Sequence, residues 1–204
     1  MCARPSRALP YELHVAATIS RHREPLHIDL AFTNTGGAGA VFHVYDRKHL
    51  DRIPRRYTVE PDKRIVDRWD LADDAGDYDL WLIAPNGFHR HFTGRAGAHP
   101  AAVEVELAYQ RGDLTITLHN RGLEPAELTL VDNAYHHGDH TIFAPAGADR
   151  ILHVALERSA HWYDFTVTAH DLPSFRRRFA GHIETGRDSF SDPALGGPAR
   201  GDQP

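Results

Sequence analysis

Short stretches of alternating apolar and polar residues run through most of this chain. Residues 26–32, Leu-His-Ile-Asp-Leu-Ala-Phe, alternate strictly, and residues 163–168, Tyr-Asp-Phe-Thr-Val-Thr, do the same. A period of two places one set of side chains on a buried face and the other set in solvent, which predicts β-strands. No stretch sustains the period of an amphipathic helix. The pattern therefore predicts an all-β protein.

The alternating stretches recur at the spacing typical of antiparallel β-sandwiches. Each half of the chain contains about seven of them, so the sequence predicts two tandem immunoglobulin-like antiparallel β-sandwich domains. The predicted strands cover residues 11–19, 26–32, 41–45, 56–59 and 65–71, a hairpin within 76–94, and residues 103–109, 113–119, 126–131, 141–143, 151–156, 162–169 and 175–182.

An internal duplication supports this division into two domains. Residues 76–94 recur as residues 161–181, and both copies contain Tyr-Asp followed by Phe-x-Arg-x-Phe-x-Gly, at 88–94 and at 175–181. The repeat length is roughly 86 residues, enough for a small domain. The predicted organisation is a linker at 1–10, a first repeat at 11–96, a second repeat at 101–185 and a disordered tail at 186–204.

Each repeat places an arginine between two phenylalanines on one strand face. These arginines are Arg90 and Arg177. One interpretation is an anion-binding or stacking arginine. The other is a structural arginine whose stem packs on the rings while its head pairs with a carboxylate such as Asp79 or Asp164. The presence of the pattern in both copies favours the structural interpretation.

Composition excludes several classes of protein. The 204 residues carry a net charge of −5 and are 41% apolar, which argues against a partner bound through phosphate neutralisation, such as a nucleic acid. The single cysteine, Cys2, excludes an intrachain disulfide and a multi-cysteine metal site. No apolar run approaches the ~18 residues of a membrane-spanning helix, and residues 1–7 have no apolar core typical of a signal peptide.

Motifs for catalysis and for cofactors are weak. Residues 136–140, His-His-Gly-Asp-His, are the densest group among 16 histidines, but adjacent histidines on a loop converge poorly on one ion. The sequence contains no Gly-x-Ser-x-Gly motif and no phosphate loop ahead of a helix. It therefore predicts a polar loop at 136–140, and neither a metal nor another cofactor.

The two copies diverge most in one loop. Residues 46–57, rich in arginine, are replaced in the second copy by residues 132–140. Divergence between copies of one fold is where function is expected. Arg55, Arg56 and Tyr57 are therefore candidates for contact with a lipid headgroup or a partner domain; the alternative is a solvated loop with local salt bridges. Trp81, Phe88 and Trp162 join the candidates only if they prove to be surface residues, since core packing is the alternative.

Several strings in order carry a family resemblance. They are Phe-His-Val-Tyr-Asp at 42–46, Gly-Asp-Tyr-Asp-Leu-Trp at 76–81, Pro-Asn-Gly-Phe-His-Arg-His-Phe at 85–92, Leu-His-Asn-Arg-Gly at 118–122, His-Trp-Tyr-Asp at 161–164 and Arg-Arg-Phe-Ala-Gly at 177–181. Over roughly residues 8–194 the chain resembles the tandem C-terminal domains of bacterial phosphocholine-preferring phospholipases C. The duplication is part of that family's pattern.

The resemblance implies a function for the parent enzyme. In that family an N-terminal domain of the alkaline-phosphatase superfamily hydrolyses phosphatidylcholine or sphingomyelin, and the enzyme is exported through a twin-arginine signal. None of the catalytic residues or that signal has a counterpart here. We therefore expect a non-catalytic accessory region, secreted or periplasmic with its parent, whose partners are the catalytic domain and a phospholipid surface. The alternative is a freestanding module that binds carbohydrate or a lipid headgroup.

Overall fold

A computed structural model describes residues 4–20, 25–97 and 102–194 of the chain. Nearly all of its regular structure is antiparallel β-strand, which confirms the predicted fold class. The strands of the first repeat are β1 (Pro5–Ser6), β2 (Leu13–Ile19), β3 (His27–Asn34), β4 (Ala40–Asp46), β5 (Arg55–Val59), β6 (Lys63–Asp70), β7 (Asp77–Ile83) and β8 (His89–Arg95). Those of the second are β9 (Val103–Gln110), β10 (Asp113–Asn120), β11 (Ala126–Asp132), β12 (His140–Ala144), β13 (Asp149–Val154), β14 (Trp162–Ala169), β15 (Leu172–His182) and β16 (Ser189–Phe190).

Strands β2–β8 and β9–β15 form one seven-stranded sandwich in each repeat, the two repeats share one sheet, and β1 and β16 pair separately. The shared sheet has eight strands in the order β12-β11-β14-β15-β8-β7-β4-β5, four from each repeat. Separate three-stranded sheets, β2-β3-β6 and β13-β10-β9, complete the two sandwiches. Apolar residues of the inward faces form the core, as the alternating pattern predicts.

The two repeats join where β8 pairs with β15. In this pairing Arg177 faces Phe92 and Phe179 faces Arg90. Because Arg90 corresponds to Arg177 and Phe92 to Phe179 in the duplication, the pairing maps onto itself when the repeats are exchanged. The junction is therefore an approximate twofold axis within a single chain.

A buried asparagine holds the same loop in each repeat. The Asn34 amide donates to the carbonyls of Ala38 (2.9 Å) and Val59 (3.0 Å), and its oxygen accepts from the Gly36 N–H. Asn120 makes the corresponding three bonds in the second repeat. Both asparagines are wholly buried. This network explains the Asn-x-Gly sequence that the two copies share, since it satisfies buried backbone groups where a strand ends.

The two ends of the described chain pair with each other, which differs from the predicted linker and disordered tail. Strand β1 pairs antiparallel with β16, and the indole N–H of Trp162 donates to the Phe190 carbonyl at 3.0 Å. The Tyr135 hydroxyl donates to Asp192 at 2.8 Å. Proline and glycine after residue 185 suggested disorder, but backbone pairing and these side-chain bonds order the segment up to residue 194. Residues 1–3, 98–101 and 195–204 of the predicted linker, boundary and tail lie outside the described residues.

We expect Asn34→Ala to lower the free energy of unfolding by about 2 kcal/mol, because two carbonyl groups, one fully buried, lose their donor. Urea denaturation of the purified chain measures this loss. Thr35→Ala is the matched control, since the hydroxyl contacts of Thr35 are exposed; it should change stability by less than about 0.5 kcal/mol. Equal effects of the two substitutions would contradict a structural role for the asparagine network.

Candidate functional site

Two buried arginines occupy the junction between the repeats. Arg90 and Arg177 are almost completely inaccessible to solvent. The Arg90 guanidinium lies 4.0 Å from the ring centroid of Phe88 and 5.4 Å from that of Phe179. Arg177 repeats this arrangement with Phe175 at 4.3 Å and Phe92 at 5.4 Å. Each cation is therefore held between aromatic rings of both repeats, where cation–π attraction offsets part of its desolvation.

Hydrogen bonds also cross the junction in both directions. Arg177 of the second repeat donates to the Tyr78 hydroxyl (2.7 Å) and the Thr93 carbonyl (2.7 Å) of the first. Arg90 of the first repeat donates to the Tyr163 hydroxyl and the Ala180 carbonyl of the second, both at 2.9 Å. These exchanged contacts place the two arginines in a structural role, because their donors are used within the protein.

The prediction that Arg90 and Arg177 pair with Asp79 or Asp164 was wrong. Asp79 lies 2.5 Å from a ring nitrogen of His91, and Asp164 pairs with Arg178. The partner of Arg177 is Glu104 of β9, which accepts from Nε at 2.6 Å and from Nη2 at 2.8 Å. Glu104 is distant from Arg177 in sequence, so only the packing of β9 against the shared sheet brings the two together.

The two arginines differ in one respect, because Arg90 has no such carboxylate among the described residues. The strand registers place His14 where the second repeat has Glu104, since His14 faces Thr33 and Glu104 faces His119. Burial, with a smaller contribution from Arg90, holds the pKa of His14 below its ordinary value. In the described part of the chain the Arg90 Nε–H therefore has no acceptor.

Glycines allow the tyrosines to reach the arginines. A Cβ on Gly94 would collide with the Tyr78 hydroxyl, and a Cβ on Gly181 would lie 3.1 Å from the Tyr163 hydroxyl. These are the glycines that end the two copies of Phe-x-Arg-x-Phe-x-Gly. The whole motif is thus explained by the junction.

Of the three candidates at residues 55–57, two already bind a carboxylate of the protein. Arg55 pairs with Asp67 at 2.8 Å and lies 3.9 Å over the Trp69 ring. The Tyr57 hydroxyl donates to the same Asp67 at 2.6 Å, and burial together with this carboxylate raises the pKa of Tyr57 to about 12. Arg56 is exposed on the outer side of β5. Of the three, Arg56 is the one without a side-chain ion pair to a described residue.

The three aromatic candidates occupy different environments. Phe88 belongs to the core and does not meet the condition of surface exposure. Trp162 is partly covered by the segment containing Phe190, to whose carbonyl its indole donates, and its ring centroid lies 4.8 Å from that of His182 with the rings tilted. Trp81 is 36% exposed on the outer face of the shared sheet. Of these three, Trp81 presents an accessible aromatic surface.

Trp81 is part of a row of rings across β4, β7 and β8. Its centroid lies 5.4 Å from that of Tyr45 and 6.0 Å from that of His89, and His91 follows at 6.5 Å from His89. Burial, reinforced by Arg178, lowers the pKa of His89 to about 4, so this imidazole is neutral at neutral pH. The row is an uncharged aromatic strip near the middle of the sheet.

Sequence reasoning missed the most exposed aliphatic side chains of the divergent loop. Between β4 and β5, Leu50 is 71% exposed and Ile53 is 87% exposed. We call residues 47–56 the basic loop, because they contain five arginines or lysines and one aspartate. Asp46 holds the start of this loop by accepting from the Lys48 backbone N–H at 3.1 Å. An apolar tip surrounded by cations is thereby presented at the edge of the shared sheet.

The histidine-rich loop at 136–140 is organised by Asp132 at the end of β11. The Asp132 carboxylate accepts backbone N–H groups of Ala134, Tyr135 and His137, and a ring nitrogen of His137 lies 3.1 Å from the Ser159 hydroxyl. Among the described residues, no group of three or more histidine, cysteine, aspartate or glutamate side chains is arranged to hold a metal ion. In the same part of the chain, no helix is long and apolar enough to cross a membrane.

Comparison with known proteins gives the family. The family described as "Bacterial phospholipase C, C-terminal domain" matches residues 5–95 and again residues 99–182. The chain belongs to this family. Its two matched segments are the two repeats of the duplication, and the match confirms the resemblance inferred from the sequence strings.

Relatives of known name are much longer than this chain. A non-hemolytic phospholipase C of Pseudomonas aeruginosa is 43% identical over 96% of the chain, which spans 29% of that protein. A non-hemolytic phospholipase C of Burkholderia pseudomallei is 41% identical over 94% of the chain and 28% of its own length. A hemolytic phospholipase C of Pseudomonas aeruginosa is 34% identical over 94% of the chain and 30% of its own length. The chain corresponds to the C-terminal accessory part of such proteins.

Similarity to solved structures is low. A red sea bream transglutaminase aligns over 87% of the chain and 32% of its own, with 14% identity and a TM-score of 0.30. A DUF3823 family protein from Bacteroides ovatus aligns over 91% of the chain and 100% of its own, with 8% identity and a TM-score of 0.29.

We expect opposite effects on stability from substituting Glu104 and His14, the corresponding residues beside Arg177 and Arg90. Glu104→Gln should lower the free energy of unfolding by about 3 kcal/mol, because it leaves the buried Arg177 cation without its counter-charge. His14→Glu should raise it by about 1 kcal/mol, because it supplies an acceptor to the Arg90 Nε–H. Both are measured by urea denaturation.

Glu106→Gln is the matched control on β9, since Glu106 is exposed and lies outside the arginine contacts; it should leave stability nearly unchanged. Destabilisation by His14→Glu as large as that by Glu104→Gln would show that the two positions are not equivalent.

Proposed function

We propose that this chain is the non-catalytic accessory region of a phospholipase C that acts on phosphatidylcholine or sphingomyelin. Its role is to hold the catalytic domain, its partner in the same polypeptide, at a phospholipid surface. The proposal is supported by the family and by the chain spanning under a third of the length of its named relatives. The parent enzyme then works outside the cytoplasm, in a secreted or periplasmic location, where it meets its lipid.

The observation that carries the lipid role is the basic loop. Leu50 and Ile53, three residues apart in this loop, both expose most of their apolar surface, and neighbouring exposed apolar side chains beside polar residues are typical of an interaction site. At a bilayer, aliphatic side chains gain roughly 0.8 kcal/mol for each CH₂ group that enters the acyl boundary. Cations beside them gain about 1 kcal/mol each near an anionic leaflet. The loop combines both sources of affinity.

Internal ion pairs limit how much charge the loop offers. Arg52 faces Asp46 at 3.4 Å, and Lys48 faces Asp74 at 3.7 Å. Both pairs are partly exposed, so solvent screens them and either cation can turn toward a phosphate at little cost. Arg56 adds an exposed cation at the start of β5. We therefore propose Leu50, Ile53 and Arg56 as the lipid contacts, with Arg55 and Tyr57 supporting the loop through Asp67.

Comparison of the repeats supports a role specific to the first. The corresponding connection of the second repeat, residues 133–139, contains no arginine, lysine, leucine or isoleucine. Backbone N–H groups of Ala134 and Tyr135 donate to Asp132 there, as the Lys48 N–H donates to Asp46 in the first repeat. Because the surrounding strands correspond in both repeats, the apolar and basic character of the first loop is not required by the fold.

A freestanding module that binds carbohydrate or a lipid headgroup is the second candidate function. It is favoured by the aromatic row formed by Tyr45, Trp81 and His89, since flat uncharged rings with polar edges suit stacking against a ring or a quaternary ammonium group. Trp81→Ala distinguishes the two candidate functions. It should leave vesicle binding unchanged if the basic loop is the lipid contact. It should abolish vesicle binding if the aromatic row is the lipid contact.

We expect the purified chain to co-sediment with vesicles of phosphatidylcholine containing phosphatidylserine, and the bound fraction to fall as salt rises. The double variant Leu50→Asp/Ile53→Asp should reduce the bound fraction at least about tenfold, since it replaces the apolar tip by anions. Sphingomyelin vesicles with the same anionic fraction test whether the neutral lipid matters.

Leu123→Asp is the matched control, because Leu123 is 92% exposed in the second repeat and far in sequence from the basic loop. This variant should bind vesicles as the unmodified chain does. Loss of binding in the control, or no binding of the unmodified chain at low salt, would contradict a lipid role for the loop and leave docking to the catalytic domain.

A further inference from the structure

A cavity of about 340 Å³ is lined by Tyr78, Glu104 and Phe175, three residues that contact the buried Arg177. It opens between β2 and β9, the facing edge strands of the two three-stranded sheets. Its walls include Ala17 and Ile19 of β2, Val105 of β9, and Phe175 and Tyr78 of the Arg177 cluster. A mostly apolar cavity of this size, with a few polar groups, is typical of a small-molecule site.

The duplication explains why the cavity is there. Asn34 and Asn120 mark matching positions of β3 and β10, so Ile28 of β3 corresponds to Leu114 of β10. Ile19 pairs with Ile28, and Tyr109 pairs with Leu114. Ile19 therefore occupies the position that Tyr109 has in the second repeat.

A second difference enlarges the space. By the same registers, Ala17 of β2 pairs with Leu30, and Leu107 of β9 pairs with Ile116, so Ala17 stands in the place of Leu107. Two neighbouring side chains are thus smaller on β2 than on β9. Among the described residues, no neighbouring side chain fills the volume that they leave.

The other half of the junction shows what fills such a space. The Tyr109 phenol lies between the sheets, and its hydroxyl is 2.9 Å from Arg90 Nη2 and 2.8 Å from the Tyr163 hydroxyl. It also donates to the Leu13 carbonyl at 3.1 Å. Ring and hydroxyl together complete that cluster. In the described part of the chain, the corresponding place beside Arg177 and Tyr78 has no side chain of this kind.

We infer that the cavity beside Arg177 binds a small ring-bearing alcohol, a phenol or a compound of similar shape, in the position that the Tyr109 side chain occupies in the other repeat. The ring contacts Ala17, Ile19 and Phe175. The hydroxyl reaches the Tyr78 hydroxyl and the Glu104 carboxylate. An apolar cavity of about 150 Å³ already suffices for a benzene-sized molecule.

Glu104 determines which polar group the ligand carries. Its carboxylate already accepts from Arg177 Nε and Nη2, so the guanidinium offers no strong donor to the cavity. A ligand hydroxyl therefore donates to Glu104, whereas a ligand carboxylate would face a like charge. Arg95 and Arg121 also line the cavity, but each lies beside a carboxylate, Asp77 and Asp149, so neither pair adds net positive charge to the site. The site consequently selects a neutral alcohol over an acid.

Titration with 4-methylphenol, the side chain of tyrosine as a free molecule, tests this inference by protein-observed NMR. We expect saturable shifts of residues that line the cavity, and at least about tenfold weaker binding of 4-methylbenzoate because its charge faces Glu104. No saturable binding of 4-methylphenol, or equal binding of the acid, would overturn the inference.

Ile19→Tyr is the decisive variant, because it places a phenol in the cavity as Tyr109 does in the second repeat. It should abolish binding of 4-methylphenol and raise the melting temperature by roughly 2–4 °C. Ile19→Leu is the control and should retain binding. Should Ile19→Tyr fail to fold, Ala17→Leu, which introduces the side chain that Leu107 has in the second repeat, should weaken binding by partly filling the same space. Undiminished binding by the folded cavity-filling variant would place the ligand elsewhere and contradict the site.

Discussion

The structure depends on two buried guanidinium groups that cross the boundary between the repeats. Each arginine is anchored in one repeat and donates to a tyrosine and a backbone carbonyl of the other. Removing a cation from water is costly unless its donors find acceptors. The pairing of β8 with β15 supplies those acceptors only when both repeats are in place. The two sandwiches are therefore parts of a single folded unit, with one eight-stranded sheet running through both.

Duplication followed by divergence explains where this chain differs from a symmetric dimer. The features that the junction requires, Tyr-Asp and Phe-x-Arg-x-Phe-x-Gly, are present twice, and so is the buried asparagine that each sandwich requires. The features that differ are not needed in both copies for the junction to form. The basic loop belongs to the first repeat alone, and the smaller residues of β2 leave a cavity on one side of the axis. The shared scaffold thus carries a basic loop and a cavity that the fold itself does not need.

Local patterns were sufficient to predict most of the fold. Strict alternation in residues 26–32 and 163–168 predicted strands that the structure confirms as β3 and β14, and the repeat length predicted the two sandwiches. The pairing of Arg177 with Glu104 could not be predicted, because it depends on how β9 packs against the shared sheet. The exposure of Leu50 and Ile53 could not be predicted either, because the sequence does not tell whether an apolar residue of a loop turns inward. Pairing of β1 with β16 joins the two ends of the described chain, a contact that no local pattern reports.

Differential scanning calorimetry of the purified chain tests the central claim, that the crossed arginines make the two repeats one cooperative unit. The account predicts a single transition whose calorimetric and van't Hoff enthalpies agree. Two separated transitions, one for each repeat, would contradict it, because they would show that either sandwich persists after the junction has opened.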